Sequence, residues 1–301
     1  MPSYSGVWNL PAVMQAVGAG NWPPNYVEPI GLFGGGDENK NVIDRIIISS
    51  TGNATDFGDL TVARGYLASF SSAIKGVWGG GSTGSRSNVI DYVIIDSAGN
   101  ATDFGDLLDP NLSLSGLSNA TRGVFGGGYT GVDSNVLQYV TIASTGNATD
   151  FGDAVATFNY GAGCASPTRG IFQTGSRDNY IYITIASTGN ATNFGNLASN
   201  RSGGAMCSNS TRGLFGGGSN VIEYITIAST GNGLDFGDLT VARSGLAACA
   251  SSSRGVFAGG STNGNVIDYV TIDSTGNATD FGDLTIARGR LAGCSNVHGG
   301  L

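Results

Sequence analysis

The chain has 301 residues, 40% of them hydrophobic, which is enough for a large buried core and for one array of repeats that forms a single domain. Its 22 acidic residues outnumber its 14 basic residues and give a net charge of −8, so the basic surface that a nucleic-acid partner requires is not expected. No stretch approaches the roughly 18 consecutive apolar residues of a membrane-spanning helix, and no membrane span is expected.

Residues 1–30 precede the repeats and are interpreted as an N-terminal arm. No basic segment followed by an apolar core marks a secretory signal there. The arm carries the aromatic residues Tyr4, Trp8 and Trp22 in a segment too short to form a core of its own. We expect these side chains to anchor the domain on another protein; the alternative is that the arm folds back onto the surface of its own domain.

One motif, Thr-Gly-Asn-Ala-Thr-Asp-Phe-Gly-Asp in its most regular form, recurs nearly unchanged along the rest of the chain. Successive copies lie between 42 and 47 residues apart, and self-similarity with such a period is typical of solenoids and propellers. The motif phenylalanines are Phe57, Phe104, Phe151, Phe194, Phe236 and Phe281.

Each repeat predicts four short strands. The second strand is an apolar run that ends in glycines, as in residues 255–260, and the third is rich in β-branched and aromatic residues, as in residues 266–272. A Ser-Thr-Gly-Asn turn leads into the fourth strand, whose phenylalanine we expect between adjacent blades. The first strand of the next repeat is a run of small residues, which fits an innermost position near the axis.

The two ends of the array predict that it closes. It begins with a second strand at residues 31–36 and finishes with a first strand at residues 288–295. Pairing of these strands completes one blade and joins the ring, whereas an open array would expose two sheet edges. The predicted fold is therefore an all-β, six-bladed propeller over residues 31–301, closed by its C-terminal strand, after an arm of residues 1–30.

The four cysteines share one position of the repeat, which holds Phe70 and Leu117 in two other repeats. Because Phe and Leu fill the equivalent positions, we expect a buried apolar slot in which the thiol packs as a small hydrophobic group. Disulfides or a metal cluster are the alternatives, although the repeat holds equivalent positions apart. The cysteines are Cys164, Cys207, Cys249 and Cys294.

The repeats resemble Kelch repeats over residues 31–301. They share the glycines after the second strand, a hydrophobic–Asp/Glu–Tyr third strand, an aromatic residue in the fourth strand and an arginine before the next first strand. They depart from the Kelch pattern in having Phe in place of the usual Trp, and two repeats lack the arginine, with Asn111 and Phe158 nearby. The arginines at the Kelch position are Arg64, Arg201, Arg243 and Arg288. The resemblance implies a Kelch-like propeller.

The near-identical repeats, after the opening Met-Pro-Ser-Tyr-Ser-Gly-Val-Trp, also resemble the Kelch-like virion proteins of marine cyanophages. This resemblance implies a phage structural protein in the virion, as a tail, fibre or neck appendage. Its arm would bind other virion proteins, and its propeller would bind a protein or a glycan on the host surface. The alternatives are a cellular Kelch-like scaffold or lectin-type binding protein and, more distantly, a glycan-active enzyme; a homo-oligomer is compatible with each.

Catalysis, metal ions and cofactors are not expected. The only histidine, His298, is interpreted as a strand-end residue, and one histidine cannot supply the ligands of a galactose-oxidase-type copper site. Oxygen-bearing side chains such as Asn277 and Asp280 cluster in each motif, which a calcium site would require. Asparagine and aspartate in turns usually satisfy backbone donors, however, so a structural role is favoured, as it is for the repeated Asn-Ala-Thr sequons.

The loops between the second and third strands differ in length from repeat to repeat, and in a propeller they share a face with the fourth-to-first connections. Variation on one face of a uniform scaffold is where recognition usually lies. We therefore predict that this face binds a partner or a host-surface glycan; the alternative is solvated loops without a ligand. The predicted binding residues are Arg86, Tyr129, Asp133, Arg177 and Asp178.

Overall fold

The computed structural model describes residues 27–37, 40–175, 178–261 and 264–301, and these residues contain strands but no helix. Tyr4, Trp8 and Trp22 of the arm lie outside the described residues, so their anchoring role stays a prediction. The first strand begins at Ile30, at the end of the segment assigned to the arm.

The described strands form six antiparallel four-stranded blades around a central axis, numbered here I to VI. Blade I contains β1 (Ile30–Gly34), β2 (Val42–Ile47) and β3 (Thr55–Asp59); blade II contains β4 (Ala68–Ser71), β5 (Lys75–Gly79), β6 (Ser87–Ile94) and β7 (Thr102–Asn111). Blade III contains β8 (Ser115–Ser118), β9 (Arg122–Gly126), β10 (Ser134–Thr141) and β11 (Thr149–Phe158); blade IV contains β12 (Ala162–Ala165), β13 (Arg169–Gln173), β14 (Asn179–Thr184) and β15 (Thr192–Asn196). Blade V contains β16 (Gly204–Ser208), β17 (Arg212–Gly217), β18 (Ser219–Thr226) and β19 (Leu234–Arg243); blade VI contains β20 (Ala247–Ala250), β21 (Arg254–Ala258), β22 (Val266–Thr271) and β23 (Thr279–Asp283). The last strand, β24 (Ala292–Ser295), joins blade I.

The predicted closure of the ring is confirmed. Strand β24 pairs antiparallel with β1, so that Leu32 lies opposite Cys294. Asn296, directly after β24, accepts a hydrogen bond from the Ile30 amide at 2.9 Å. In blade III, Asn119 likewise accepts a hydrogen bond from the Arg122 amide at 2.9 Å, there within one uninterrupted turn. The two distant parts of the chain therefore reproduce the turn that continuous chain forms elsewhere.

Apolar side chains from neighbouring blades meet around the motif phenylalanine. Phe57 is 4% exposed and packs in one cluster with Ile43 and Leu60 of blade I and with Val93 and Ile95 of blade II. This placement is why the third strand is apolar on both of its faces: each blade packs between two others. The predicted position of the phenylalanine between blades is confirmed.

The repeated Thr-Gly-Asn-Ala turn binds the outer strand of the preceding blade. At the interface of blades V and VI, the amides of Gly276 and Ala278 donate to the carbonyls of Phe236 and Asp238, each at 2.7 Å. The Asp238 amide in turn donates to Asn277 Oδ1 at 3.0 Å. The turn thereby covers an edge strand that would otherwise expose unpaired backbone groups. We call this set of contacts the seam.

The seam is present at all six interfaces, which explains why the motif is so uniform. At each one a turn asparagine accepts a hydrogen bond from an outer-strand amide at 2.9 to 3.1 Å. These asparagines are Asn53, Asn100, Asn147, Asn190, Asn232 and Asn277.

A buried ion pair crosses four of the six interfaces on the inner side of the seam. Arg243, at the end of β19, donates to Asp268 of β22 at 2.7 Å, and both side chains are fully buried. The other three pairs are Arg64–Asp91 at 2.9 Å, Arg201–Glu223 at 2.5 Å and Arg288–Asp44 at 3.0 Å. The arginines singled out by the Kelch resemblance are therefore the side chains that join one blade to the next.

Candidate binding site at the upper mouth of the axial channel

The two faces of the ring differ in what the chain places on them. We call upper the face with the fourth-to-first-strand connections and the second-to-third-strand loops, and lower the face with the remaining turns. The innermost strand of each blade lines a channel along the axis. At the lower end, residues that follow β24 occupy the channel mouth, where the Gly299 amide donates to the Ser208 carbonyl at 2.9 Å.

The interpretation of His298 as a strand-end residue is wrong, because β24 ends at Ser295 and the histidine lines the lower end of the channel. Its Nδ1 accepts from the Gly300 amide and its Nε2 donates to the Ser71 carbonyl, both at 3.0 Å. Burial lowers the pKa of His298, so the ring is neutral at pH 7. The hydroxyl of Ser118, 3.3 Å from Nε2, donates its proton to the Ser71 carbonyl, so the histidine does not act as its base.

The four cysteines are buried free thiols in the channel wall. The Sγ of Cys249 lies against Gly31, where the glycine leaves room for it. Burial raises the pKa of Cys164 and of Cys294 to about 12, which keeps these thiols protonated and makes them poor metal ligands. The predicted apolar slot is confirmed. In the described ranges of the chain, no three His, Cys, Asp or Glu side chains form a group that could hold a metal ion.

Six equivalent residues, which we call the collar, surround the upper mouth of the channel, each just before an innermost strand. All six have left-handed backbone, with φ between 52° and 70°. Backbone hydrogen bonds of 2.6 to 2.9 Å join five neighbouring pairs of them, as where the Tyr66 amide donates to the Arg290 carbonyl. The collar residues are Tyr66, Ser113, Tyr160, Gly203, Gly245 and Arg290.

The collar is bulky on one side and bare on the other, because four consecutive members carry side chains and the other two are glycines. The Arg290 guanidinium lies 4.5 Å from the ring centre of Tyr66 and donates to Asp37 at 3.0 Å. Tyr66 and Tyr160 meet edge to face, with ring centres 5.9 Å apart. Burial raises the pKa of Tyr66 despite the nearby Arg290 charge, so its hydroxyl keeps its proton at neutral pH. The result is a shallow cleft with an aromatic and charged wall.

Backbone strain and an unpartnered hydroxyl both mark this cleft. Left-handed backbone costs a residue with a side chain roughly 1–2 kcal/mol, and Gly203 and Gly245 show that the fold accepts glycine at this position. The Ser113 hydroxyl is buried and has no hydrogen-bond partner among the described residues, which is unusual because its desolvation is then uncompensated. The side chains of the collar are therefore poorly explained by the stability of the fold.

Three of the five predicted binding residues come together further out on the same face. The Arg86 guanidinium lies 5.9 Å from the ring centre of Tyr129, and Asp133 accepts a hydrogen bond from the Asn159 amide group at 2.6 Å. We call Arg86, Tyr129, Asp133 and Asn159 the loop cluster. Because Asn159 directly precedes Tyr160, the loop cluster adjoins the collar.

The structure describes only one of the other two predicted residues, Asp178, and it lies on a different blade from Arg86 and Tyr129. Asp178 is exposed in the loop of blade IV, where its carbonyl accepts from the Leu197 amide at 2.5 Å. Arg177 lies outside the described residues.

Reasoning from sequence missed the side chains of the collar and their partner Asp37. A signal for them was present, because collar positions recur at the same intervals as the motif phenylalanine. Glycine at two of these positions is typical of a site that needs positive φ, and Tyr66, Tyr160 and Arg290 occupy the same site in other repeats.

Fold and site together define a class, a closed six-bladed β-propeller with a one-sided cleft at its upper mouth. No protein-family model matches the sequence, and no curated protein matches it. The described residues include no helix of the length and hydropathy that would cross a membrane.

Proposed function

We propose that this protein is a non-enzymatic recognition component of a virion and that its upper face binds the ligand. The observation that carries the proposal is the collar, where side chains are kept on strained backbone at a mouth that glycine would serve equally well for folding. The loop cluster lies on the same face and adjoins it. The lower mouth, in contrast, is occupied by the chain itself.

The direction in which the chain enters the propeller supports attachment through the arm. Ile30 begins β1 at the lower face, where its amide is held by Asn296. An arm of residues 1–30 that holds other virion proteins through Tyr4, Trp8 and Trp22 would leave from this side and turn the upper face outward. The resemblance of the repeats and the opening residues to Kelch-like virion proteins of marine cyanophages supports a tail, fibre or neck position.

Truncation of the arm tests the attachment. Removal of residues 1–26 leaves Ile30 and its contact with Asn296 intact, so we expect an unchanged unfolding temperature together with loss of the protein from purified particles. The measurements are thermal unfolding of the purified chain and its abundance in particles. Particles that keep the truncated protein would refute the role of the arm.

Two substitutions test the recognition surface. Arg86→Ala combined with Tyr129→Ala removes exposed side chains of the loop cluster and should weaken binding to host cells at least about tenfold, or about 1.4 kcal/mol. Ile74→Ala is the matched control, since Ile74 is 63% exposed on the lower face. Equal binding by the double variant and the control would contradict recognition through this cluster.

The second candidate is a lectin-type binding protein or Kelch-like scaffold of a cell, which the tyrosine pair of the collar also suits. It predicts ligand binding that is independent of residues 1–26 and no incorporation of the full chain into particles.

The distant third candidate is a glycan-active enzyme. Sustained turnover of a polysaccharide, abolished by collar substitutions, would overturn the non-enzymatic proposal.

A further inference from the structure

We infer that the cleft beside the collar binds the terminal unit of a neutral saccharide. The inference rests on the proposed function and deepens it by naming the class of ligand that the upper face takes. It is carried by the chemistry of four side chains, Tyr66, Ser113, Tyr160 and Arg290, together with Asp37.

The wall of the cleft offers an apolar ring surface next to hydrogen-bonding groups. Tyr160 is 44% exposed, and its ring stands edge-on to Tyr66 rather than stacked on it, which leaves ring surface free. A pyranose ring has the complementary character, with C–H groups on its faces and hydroxyls around its rim. Pockets that combine aromatic surface with a few placed polar groups are typical of small-ligand sites.

The charges at the cleft favour a neutral ligand. Arg290 is already paired with Asp37 at 3.0 Å and stacked on Tyr66, so its positive charge is balanced inside the site. An anionic ligand would be repelled by that carboxylate, and a cationic one would be repelled by the guanidinium. Hydroxyl groups can instead bond to the remaining guanidinium N–H groups and carboxylate lone pairs without breaking the pair.

Ser113 supplies a polar group that lacks a partner. Ser113 lines the cleft, and its buried hydroxyl finds no hydrogen-bond partner among the described residues. A ligand hydroxyl that donates to it, or accepts from it, would recover the cost of its desolvation. Peptide ligands usually insert aromatic or charged anchors into deep pockets, and the cleft has no such depth.

The size of the cleft limits what enters it. Its cavity volume is about 80 Å³, well below the roughly 300 Å³ at which pockets begin to enclose a drug-sized ligand. The cleft therefore takes the end of a longer chain, and the rest of that chain would lie across the upper face toward the loop cluster.

The test uses the full-length protein on an array of neutral oligosaccharides and of oligosaccharides that carry uronic or sialic acid. The affinity for the strongest neutral binder is then measured by calorimetry for the parent and for three variants. Tyr160→Gly and Ser113→Gly should each lose at least about tenfold in affinity, or about 1.4 kcal/mol. Ile94→Ala, a change at a residue 41% exposed on the lower face, should leave the affinity unchanged.

Thermal unfolding distinguishes a variant that has lost affinity from one that no longer folds. Because glycine adopts left-handed backbone without strain, Ser113→Gly should unfold at the parental temperature or above it while it loses affinity. A Ser113→Gly variant that keeps the parental affinity would overturn the assignment of Ser113. Stronger binding of acidic than of neutral saccharides would overturn the ligand class.

Host-cell binding separates failure of this inference from failure of the proposed function. If the protein binds cells but no saccharide of the array, and periodate oxidation of the cell-surface saccharides leaves that binding intact, the saccharide is wrong and recognition stands. If it binds neither saccharides nor cells, both are wrong.

Discussion

Four interfaces between blades carry a buried arginine–carboxylate pair, and the other two differ from them in both partners at once. Between blades II and III, Asn111 replaces the arginine and Gln138 replaces the acid. Between blades III and IV, the replacements are Phe158 and Ile181, which share one apolar cluster. A lone buried charge is strongly destabilising, whereas an apolar contact of similar volume is often at least as stabilising as the ion pair. The two residues therefore vary as one unit.

The seam does not vary with them. Its asparagine contact measures 3.1 Å at Asn147, between blades II and III, and 3.0 Å at Asn277, where an ion pair lies beside it. The two interfaces without ion pairs lead directly into Ser113 and Tyr160 of the collar. The molecule thus keeps a constant outer seam and changes the inner layer beside two of the four collar side chains.

Breaking one ion pair should give the largest effect. Asp268→Ala leaves the Arg243 guanidinium buried without its carboxylate, and we expect the free energy of unfolding to fall by about 3–5 kcal/mol. Urea unfolding of the purified chain measures this change.

The double variant Arg243→Phe/Asp268→Ile sharpens the comparison, because it copies the interface of blades III and IV. We expect its free energy of unfolding to be no more than about 1 kcal/mol below that of the parent, since it removes both charges together. A double variant as unstable as Asp268→Ala would show that the two residues do not act as a unit.

A methyl group in the seam should give the next largest effect. The Cβ of Gly195→Ala would collide with the Gly231 carbonyl oxygen of the next blade, and such overpacking costs about 1–3 kcal/mol. Gly231→Ala is the matched control in the same seam, because its Cβ meets no atom within 4 Å. Equal unfolding temperatures for the two variants would contradict the close approach of the two backbones.

Loss of a seam asparagine should lower the free energy of unfolding by less than these changes. The decrease should be the same at interfaces with and without an ion pair. Asn147→Ala and Asn277→Ala each leave one outer-strand amide without its acceptor, and we expect about 1 kcal/mol for each in denaturant unfolding. Clearly unequal losses would mean that the seam depends on the ion pair beside it.

Acid titration isolates the contribution of His298, which lines the lower end of the channel and lies apart from the ion pairs. The folded state lowers the pKa of His298 below its unfolded value of about 6.5, so the unfolded chain binds the proton first. The contribution of His298 to the free energy of unfolding is at its full value above pH ~6.5. It falls as the pH drops below that value, by at most about 1.4 kcal/mol per pH unit. The unfolding temperature, measured between pH 8 and 5, reports this loss of stability. In His298→Gln the dependence of the unfolding temperature on pH should be weaker than in the parent. An unchanged dependence would mean that it comes from the carboxylates.

The periodicity of the sequence was sufficient to predict the six blades, the closing strand, the phenylalanine between blades and the cysteine slot. Each of these depends on what a residue does within its own repeat, and that role recurs at every copy. Leu32 and Cys294 could be placed in one blade because the array lacks a first strand at its start and a second strand at its end.

The collar and the course of His298 were decided by the tertiary structure. Tyr66 and Arg290 lie at opposite ends of the array, and they stack only because the closed ring makes its first and last connections neighbours. The repeat pattern also gives no direction for the residues after β24, where hydrogen bonds to the channel wall place His298. Sequence periodicity determined where each residue lies within a blade, whereas contacts across the axis depend on how all six blades meet.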